Sequence, residues 1–140
     1  MSDSRTLARR IADTMLKGEG TGPNFGIRVE DADVGYSKIS MTVRDDMLNS
    51  HMIAHGGLIF LLADTAFAYA CNSHNQRAVA QHAQISFLAP GKLGTTLTAE
   101  ASERQRGDRS GIYDITVRDD AGTTIAEFRG WSRSIPGTFF

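Results

Sequence analysis

The chain has 140 residues, 41% hydrophobic and 22% charged, a composition that suits one packed domain and excludes a disordered or coiled-coil chain. Sixteen acidic against fifteen basic residues leave a net charge of −1, without the global positive field that a nucleic-acid partner needs. The single cysteine, Cys71, excludes an internal disulfide and suits a reducing compartment, so a cytoplasmic protein is expected. No run reaches the ~18 apolar residues of a membrane span, and arginines interrupt the first segment too often for a signal peptide. Neither a membrane nor a nucleic acid is therefore expected as a partner.

Leu7, Ile11 and Met15 recur every four residues, with Arg9, Arg10 and Asp13 elsewhere on the wheel, which predicts an amphipathic helix over about 5–17. Ser4 is placed to cap its start and Gly18 its end, and GEGTG then reads as a loop. A strand near Phe25 to Glu30 follows. In YSKISMTV, Ile39, Met41 and Val43 alternate with polar residues, the period of a half-buried strand.

Residues 56–73 form the expected central helix, apolar from Leu58 onward and carrying Ala63, Ala66 and Ala70 for close approach to a sheet. Beyond it, Val79 to Phe87 predicts a third strand ending at Pro90. Leu97, Ala99 and Ala101 mark a fourth, Tyr113, Ile115 and Val117 a fifth, and Thr123 to Ser134 a sixth. DDAG joins the last two as a hairpin turn. Short connections between successive strands predict an antiparallel sheet with one apolar helix on its face, an α+β fold in a single domain spanning 1–140.

Asp64 stands alone in the apolar helix, and an ionised carboxylate is costly to bury without a reason. His55, Gly56 and Gly57 precede the helix, whose N-terminus offers unpaired N–H groups and the positive end of the helix dipole to an oxyanion or polarised carbonyl. Both glycines admit a ligand close to the backbone; a tight entry into the helix is the plainer reading. Eight residues at ~1.5 Å each place Asp64 roughly 12 Å beyond Gly56, too far for both to reach one substrate atom. If they serve the same carbonyl, they most simply come from two antiparallel helices of a homodimer with two composite sites.

The segments Asn49-Ser-His51-Met-Ile-Ala-His55-Gly56-Gly57 and Leu61-Leu-Ala-Asp64-Thr-Ala-Phe67, together with FLAPGKLG, GDRSGIYDI and FRGWSRSI, resemble the hotdog-fold acyl-CoA thioesterases, more narrowly the PaaI type of phenylacetic acid degradation. The resemblance runs from about Ile27 to Pro136. It implies a sheet of about six strands wrapped on the central helix, a homodimer usually assembled into a homotetramer, and hydrolysis of phenylacetyl-CoA or an aryl analogue to free acid and coenzyme A. It matches Asp64 to the catalytic acid, Gly56 to the helix-terminal amide and Asn49 to a residue contacting water or carbonyl.

The remaining candidates carry alternatives. His51 and His55 are four apart, but no third ligand is evident, so no metal is expected, nor any cofactor beyond the coenzyme A of the substrate. His55 is expected to bond the backbone and hold its loop. Phe60 and Phe67 either line an acyl pocket or belong to the core. Arg104, Arg106 and Arg109, with Lys92, either hold coenzyme A phosphates or form solvated turns. Two other functions share the fold: an acyl-CoA hydratase or dehydratase, and a non-catalytic acyl-CoA-binding protein.

Overall fold

A computed structural model describes residues 3–140. Helix α1 (Asp3–Gly18) is followed by a single turn α2 (Thr21–Asn24), strands β1 (Arg28–Asp33) and β2 (Tyr36–Thr42), and the central helix α3 (Gly56–Asn72). Strands β3 (Ala78–Phe87), β4 (Thr96–Arg106), β5 (Ser110–Arg118) and β6 (Thr124–Ser134) complete the chain. All six strands join one antiparallel sheet in the order β1-β2-β4-β5-β6-β3. This is the α+β hotdog arrangement expected, with every strand touching α3.

Two local expectations are corrected. Ser4 lies inside α1 rather than at its cap, with its hydroxyl on Asp33. The run expected to be a loop contains α2, closed by Phe25 N–H to the Thr21 carbonyl (3.0 Å) and Ile27 N–H to the Gly22 carbonyl (2.9 Å), so β1 begins only at Arg28.

Helix α3 is held against the sheet because its contact face is small: Ala63, Ala66 and Ala70 are fully buried, and the Ser37 hydroxyl of β2 donates to the Ala66 carbonyl at 2.6 Å. The alternating residues of the strands close over it, with Ile39, Met41, Leu97, Ala99, Ile115 and Val117 all buried. Gly130 makes room for the Phe67 ring, since a Cβ there would lie 2.7 Å from Phe67 Cε2.

The two sheet edges differ. Helix α1 packs along β1: Arg9 donates to the Val29 carbonyl at 3.0 Å, and Arg5 pairs with Asp31 and Asp33. Strand β3, at the other edge, has ten residues and no neighbour beyond β6. Val79 and Phe87 stand exposed on it, and such a long apolar edge is a template for pairing with another chain. No described helix is long and apolar enough to cross a membrane.

Candidate active site

The head of α3 is built by the loop before it. Asn49 folds residues 49–54 into a tight turn: its Oδ1 accepts from the His51 N–H (2.9 Å) and the Ile53 N–H (3.4 Å), and Ile53 returns its carbonyl to the Asn49 N–H at 2.8 Å. The Oδ1 is therefore spent on the loop, and the Asn49 amide nitrogen is the atom left to contact a ligand. A second segment pairs with this turn through the bridge Ile53↔Lys92 and the Ala54 N–H to the Gly91 carbonyl at 2.8 Å.

His55 caps the helix. Its Nδ1 accepts from the Gly57 N–H at 2.8 Å, which puts the ring proton on Nε2 in the neutral form. Gly57 thus has its amide already bonded, and a Cβ there would lie 3.0 Å from that Nδ1. Its missing side chain leaves room for the cap. The N–H of Gly56, in contrast, meets no acceptor among the described residues.

That bare donor opens onto a groove of about 540 Å³ lined by Asn49, Ile53, Ala54, Gly56, Ile59 and the run Phe87–Gly91. The size and apolar lining fit a small acyl group, with one backbone donor and one amide as its polar fixtures. The Phe87 ring closes over Gly56, so that a Cβ on the glycine would sit 3.1 Å from Cζ. The run Phe87–Gly91 was missed as a site element by sequence reasoning, although FLAPG carried the resemblance to a thioesterase family.

Asp64 lies two turns further along α3 and does not line that groove. It is half-buried, and its carboxylate has no hydrogen bond or ion pair among the described residues. Burial holds its carboxyl above the ordinary value, so the ionised form is poorly solvated and a stronger base than a surface aspartate. The neighbouring Thr65 hydroxyl turns back to the Leu61 carbonyl at 2.7 Å instead of supporting it. Cys71, two turns on, is no nucleophile: burial, then the Asp64 charge, push its thiol up to about 12.

The other candidates separate. Phe67 is fully buried between Tyr113 and Phe128, at ring-centroid distances of 5.6 and 5.9 Å, and packs as a core residue of the chain. Phe60 is half-buried with its ring edge-on to Phe128 at 5.2 Å. Lys92 bridges to Ile53 through its backbone and is exposed, but it does not line the groove. Arg104 pairs with Asp114 at 3.3 Å on the outer face of the sheet, whereas Arg106 and Arg109 line a separate hollow with Arg133.

A sheet wrapped on one helix, with a bare amide at the helix head over an apolar groove, defines a hotdog hydrolase of activated acyl groups. The chain belongs to the thioesterase superfamily, whose sequence profile matches residues 51–126. It is 46% identical over 127 residues to the acyl-coenzyme A thioesterase PaaI of Escherichia coli K12, covering 91% of each chain. The solved structure of the E. coli PaaI protein from the phenylacetic acid degradation operon superposes with a TM-score of 0.94 at 44% identity, over 96% of this chain and 97% of that one. A Streptococcus mutans UA159 protein, smu.793, solved bound to acetyl CoA, is 26% identical with a TM-score of 0.78, over 80% of this chain and 90% of that one.

Proposed function

We propose that the chain hydrolyses acyl-CoA thioesters to a free acid and coenzyme A, acting on an aryl-acetyl group in the cytoplasm, in sites shared by two protomers. The observation that carries this reading is the pair of unpartnered groups on one helix: the Gly56 N–H, a donor without an acceptor, and Asp64, a carboxylate without a donor. Each is costly alone, and each is what a thioester hydrolase needs.

The thioester carbonyl lies in the groove with its oxygen on the Gly56 N–H, and the α3 dipole adds to the polarisation. Water attacks the carbonyl carbon while Asp64 of the second protomer takes its proton. The negative charge collects on the oxygen facing Gly56, the type of contact worth about 3–4 kcal/mol in a transition state. The C–S bond then breaks, and the proton held by Asp64 passes to the departing thiolate. The Asn49 amide nitrogen steadies the carbonyl side. Direct attack by the Asp64 carboxylate, followed by hydrolysis of the anhydride, uses the same groups.

Two features support the shared site. Gly56 and Asp64 are about 12 Å apart along one helix, and the bare β3 edge offers the seam along which two copies join into one sheet with their α3 helices antiparallel. Further pairing of such dimers gives the homotetramer. The name of the E. coli relative and the acetyl CoA on the S. mutans protein support the substrate class.

The test is a panel of phenylacetyl-, hydroxyphenylacetyl-, benzoyl- and straight-chain acyl-CoAs assayed by release of free thiol. Arylacetyl substrates should give the highest kcat/KM. Saturated acyl groups cannot be hydrated, so thiol release from them excludes a hydratase; absence of release across the panel would refute the thioesterase reading.

A further inference from the structure

The bond that caps α3 also frames the proposed oxyanion donor. From His55 Nδ1 through the side chain, the Cα, the His55–Gly56 peptide and on to the Gly57 N–H, the 2.8 Å contact closes a ring that contains the Gly56 amide. Upstream, the main chain is pinned by the His55 N–H on the Met47 carbonyl and the Ala54 N–H on the Gly91 carbonyl, both at 2.8 Å. Downstream stand Gly56 and Gly57, the residue type that restricts its own backbone least. Among the described residues, the imidazole is the one side chain bonded to the first two amides of the helix, so it holds the plane in which the Gly56 N–H points.

This clasp works only with a neutral ring. A protonated imidazole carries a proton on both nitrogens and accepts no hydrogen bond. Its Nδ1–H would then face the Gly57 N–H, at the positive end of the α3 dipole, and the contact would turn from attraction to repulsion. His55 is exposed, so a proton from solvent can reach it. The charged and titratable groups on the segments packed around it are Arg44, Asp45 and Asp46 at the turn that supplies the Met47 carbonyl, His51 of its own loop and Lys92 of the segment bridged to Ile53. Arg44 pairs with Asp46 at 3.0 Å, and none of the five bonds the ring. In the shared site, Asp64 of the second protomer joins them.

We infer that His55 is a positioning residue whose protonation releases the Gly56 amide and shuts the site in mild acid. The inference rests on the thioesterase reading for the task of the amide, and it adds a second proton to the account. The active form has Asp64 ionised and His55 neutral. A proton on either group stops turnover, so activity falls on acidification more steeply than one titrating base allows.

The first test compares the pH dependence of kcat/KM, by thiol release between pH 8.5 and pH 5, for wild type, His55→Asn and His55→Ala. Asparagine also caps helices, and it takes no proton in this range. At pH 8, His55→Asn should stay within about threefold of wild type, whereas His55→Ala should lose about twofold to thirtyfold in kcat, the range of a lost cap. At pH 5.5 the ratio of His55→Asn to wild type should stand at least about fivefold above its value at pH 8, because imidazoles titrate between the two. A cap that merely stabilises the helix would lower Tm in His55→Ala and leave the three profiles parallel, which overturns the inference.

The second test needs no substrate and only the wild-type fold. Hydrogen exchange of the Gly57 amide, followed by NMR together with the His55 ring signals, should lose protection at least about fivefold as the ring titrates, after correction for the intrinsic rate. The same amide in His55→Asn should show no such loss. Protection that ignores the state of the ring overturns the clasp. If protection follows the ring yet no acyl-CoA releases thiol, the thioesterase reading fails and the clasp stands.

Discussion

Replacing Gly56 with proline removes the proposed oxyanion donor and little else. Proline is tolerated at the first position of a helix, where its missing N–H has no intrahelical partner. The residue before a proline must be extended, and His55 already is, at φ −58° and ψ 133°. The added Cβ would lie 3.1 Å from Phe87 Cζ and 3.3 Å from Cε1, so the ring must shift by a few tenths of an ångström. Phe87 is 53% exposed in the isolated chain and can make that shift. Gly56→Ala introduces the same Cβ while keeping the N–H, so the difference between the two variants isolates the hydrogen bond. Alanine should cost under about 1 kcal/mol, roughly fivefold, and mainly in KM. Proline should cost a further 10²–10³ in kcat, about 2.7–4 kcal/mol, the range for one lost oxyanion donor. The assay is initial-rate thiol release, with circular dichroism and size-exclusion chromatography as controls for folding and assembly. A Gly56→Pro enzyme with kcat within about tenfold of Gly56→Ala would refute the role of this amide.

Asp64→Asn should lower kcat by about 10²–10⁴, the usual scale for a lost general base. It should also stabilise the fold at neutral pH. Because burial raises the Asp64 carboxyl, the folded state binds its proton more tightly than the unfolded state does; that stability is present at low pH and is lost as pH rises through the raised value. Thermal melts should place Asp64→Asn above wild type at neutral pH, with the gap closing through the acidic carboxylate range; a gap that widens on acidification would contradict this. Gly130→Ala tests the core: its Cβ would meet three Phe67 ring atoms at 2.7–2.8 Å, and overpacking of about 1–3 kcal/mol should lower Tm by roughly 3–10 °C. An unchanged melt would mean that the Phe67 ring has room to move.

The parts of the molecule that follow from local chemistry are the parts that its sequence displays. Ile39, Met41 and Val43 alternate because one face of β2 is buried, and the alanines of α3 mark its approach to the sheet. Strand β4 runs on to Arg106, five residues past the Ala101 that marked it, because pairing with β5 holds exposed polar residues extended; hydrophobic pattern cannot reveal that. Helix α2 is hidden in the sequence because Gly20, Gly22 and Pro23 read as loop formers, yet four backbone bonds close the turn.

The same division runs through the site. Asp64 is conspicuous because a lone carboxylate violates the apolar pattern around it. Phe60 and Phe67 lie on neighbouring positions of the helical wheel, and only the packing of Phe67 under Gly130 separates the fully buried ring from the half-buried one. The groove wall at Phe87–Gly91 arises from the pairing of two loops distant in sequence. Arg104 sits close to Arg106 and Arg109 in the chain, but a bulge between Glu103 and Gln105 interrupts the β4 register, and Arg104 pairs with Asp114 away from the other two. Arg133 joins the pair only because β6 lies beside β5.

The central claim is that each site takes its amide from one subunit and its acid from another. Co-expression of Gly56→Pro and Asp64→Asn chains under two different tags, with purification through both, yields hybrids from two inactive parents. A shared site leaves one of the two pockets with a native Gly56 and a native Asp64, so the hybrid dimer should recover about half of the wild-type rate of thiol release. Hybrids as inactive as their parents would contradict the shared site and place both groups in one chain.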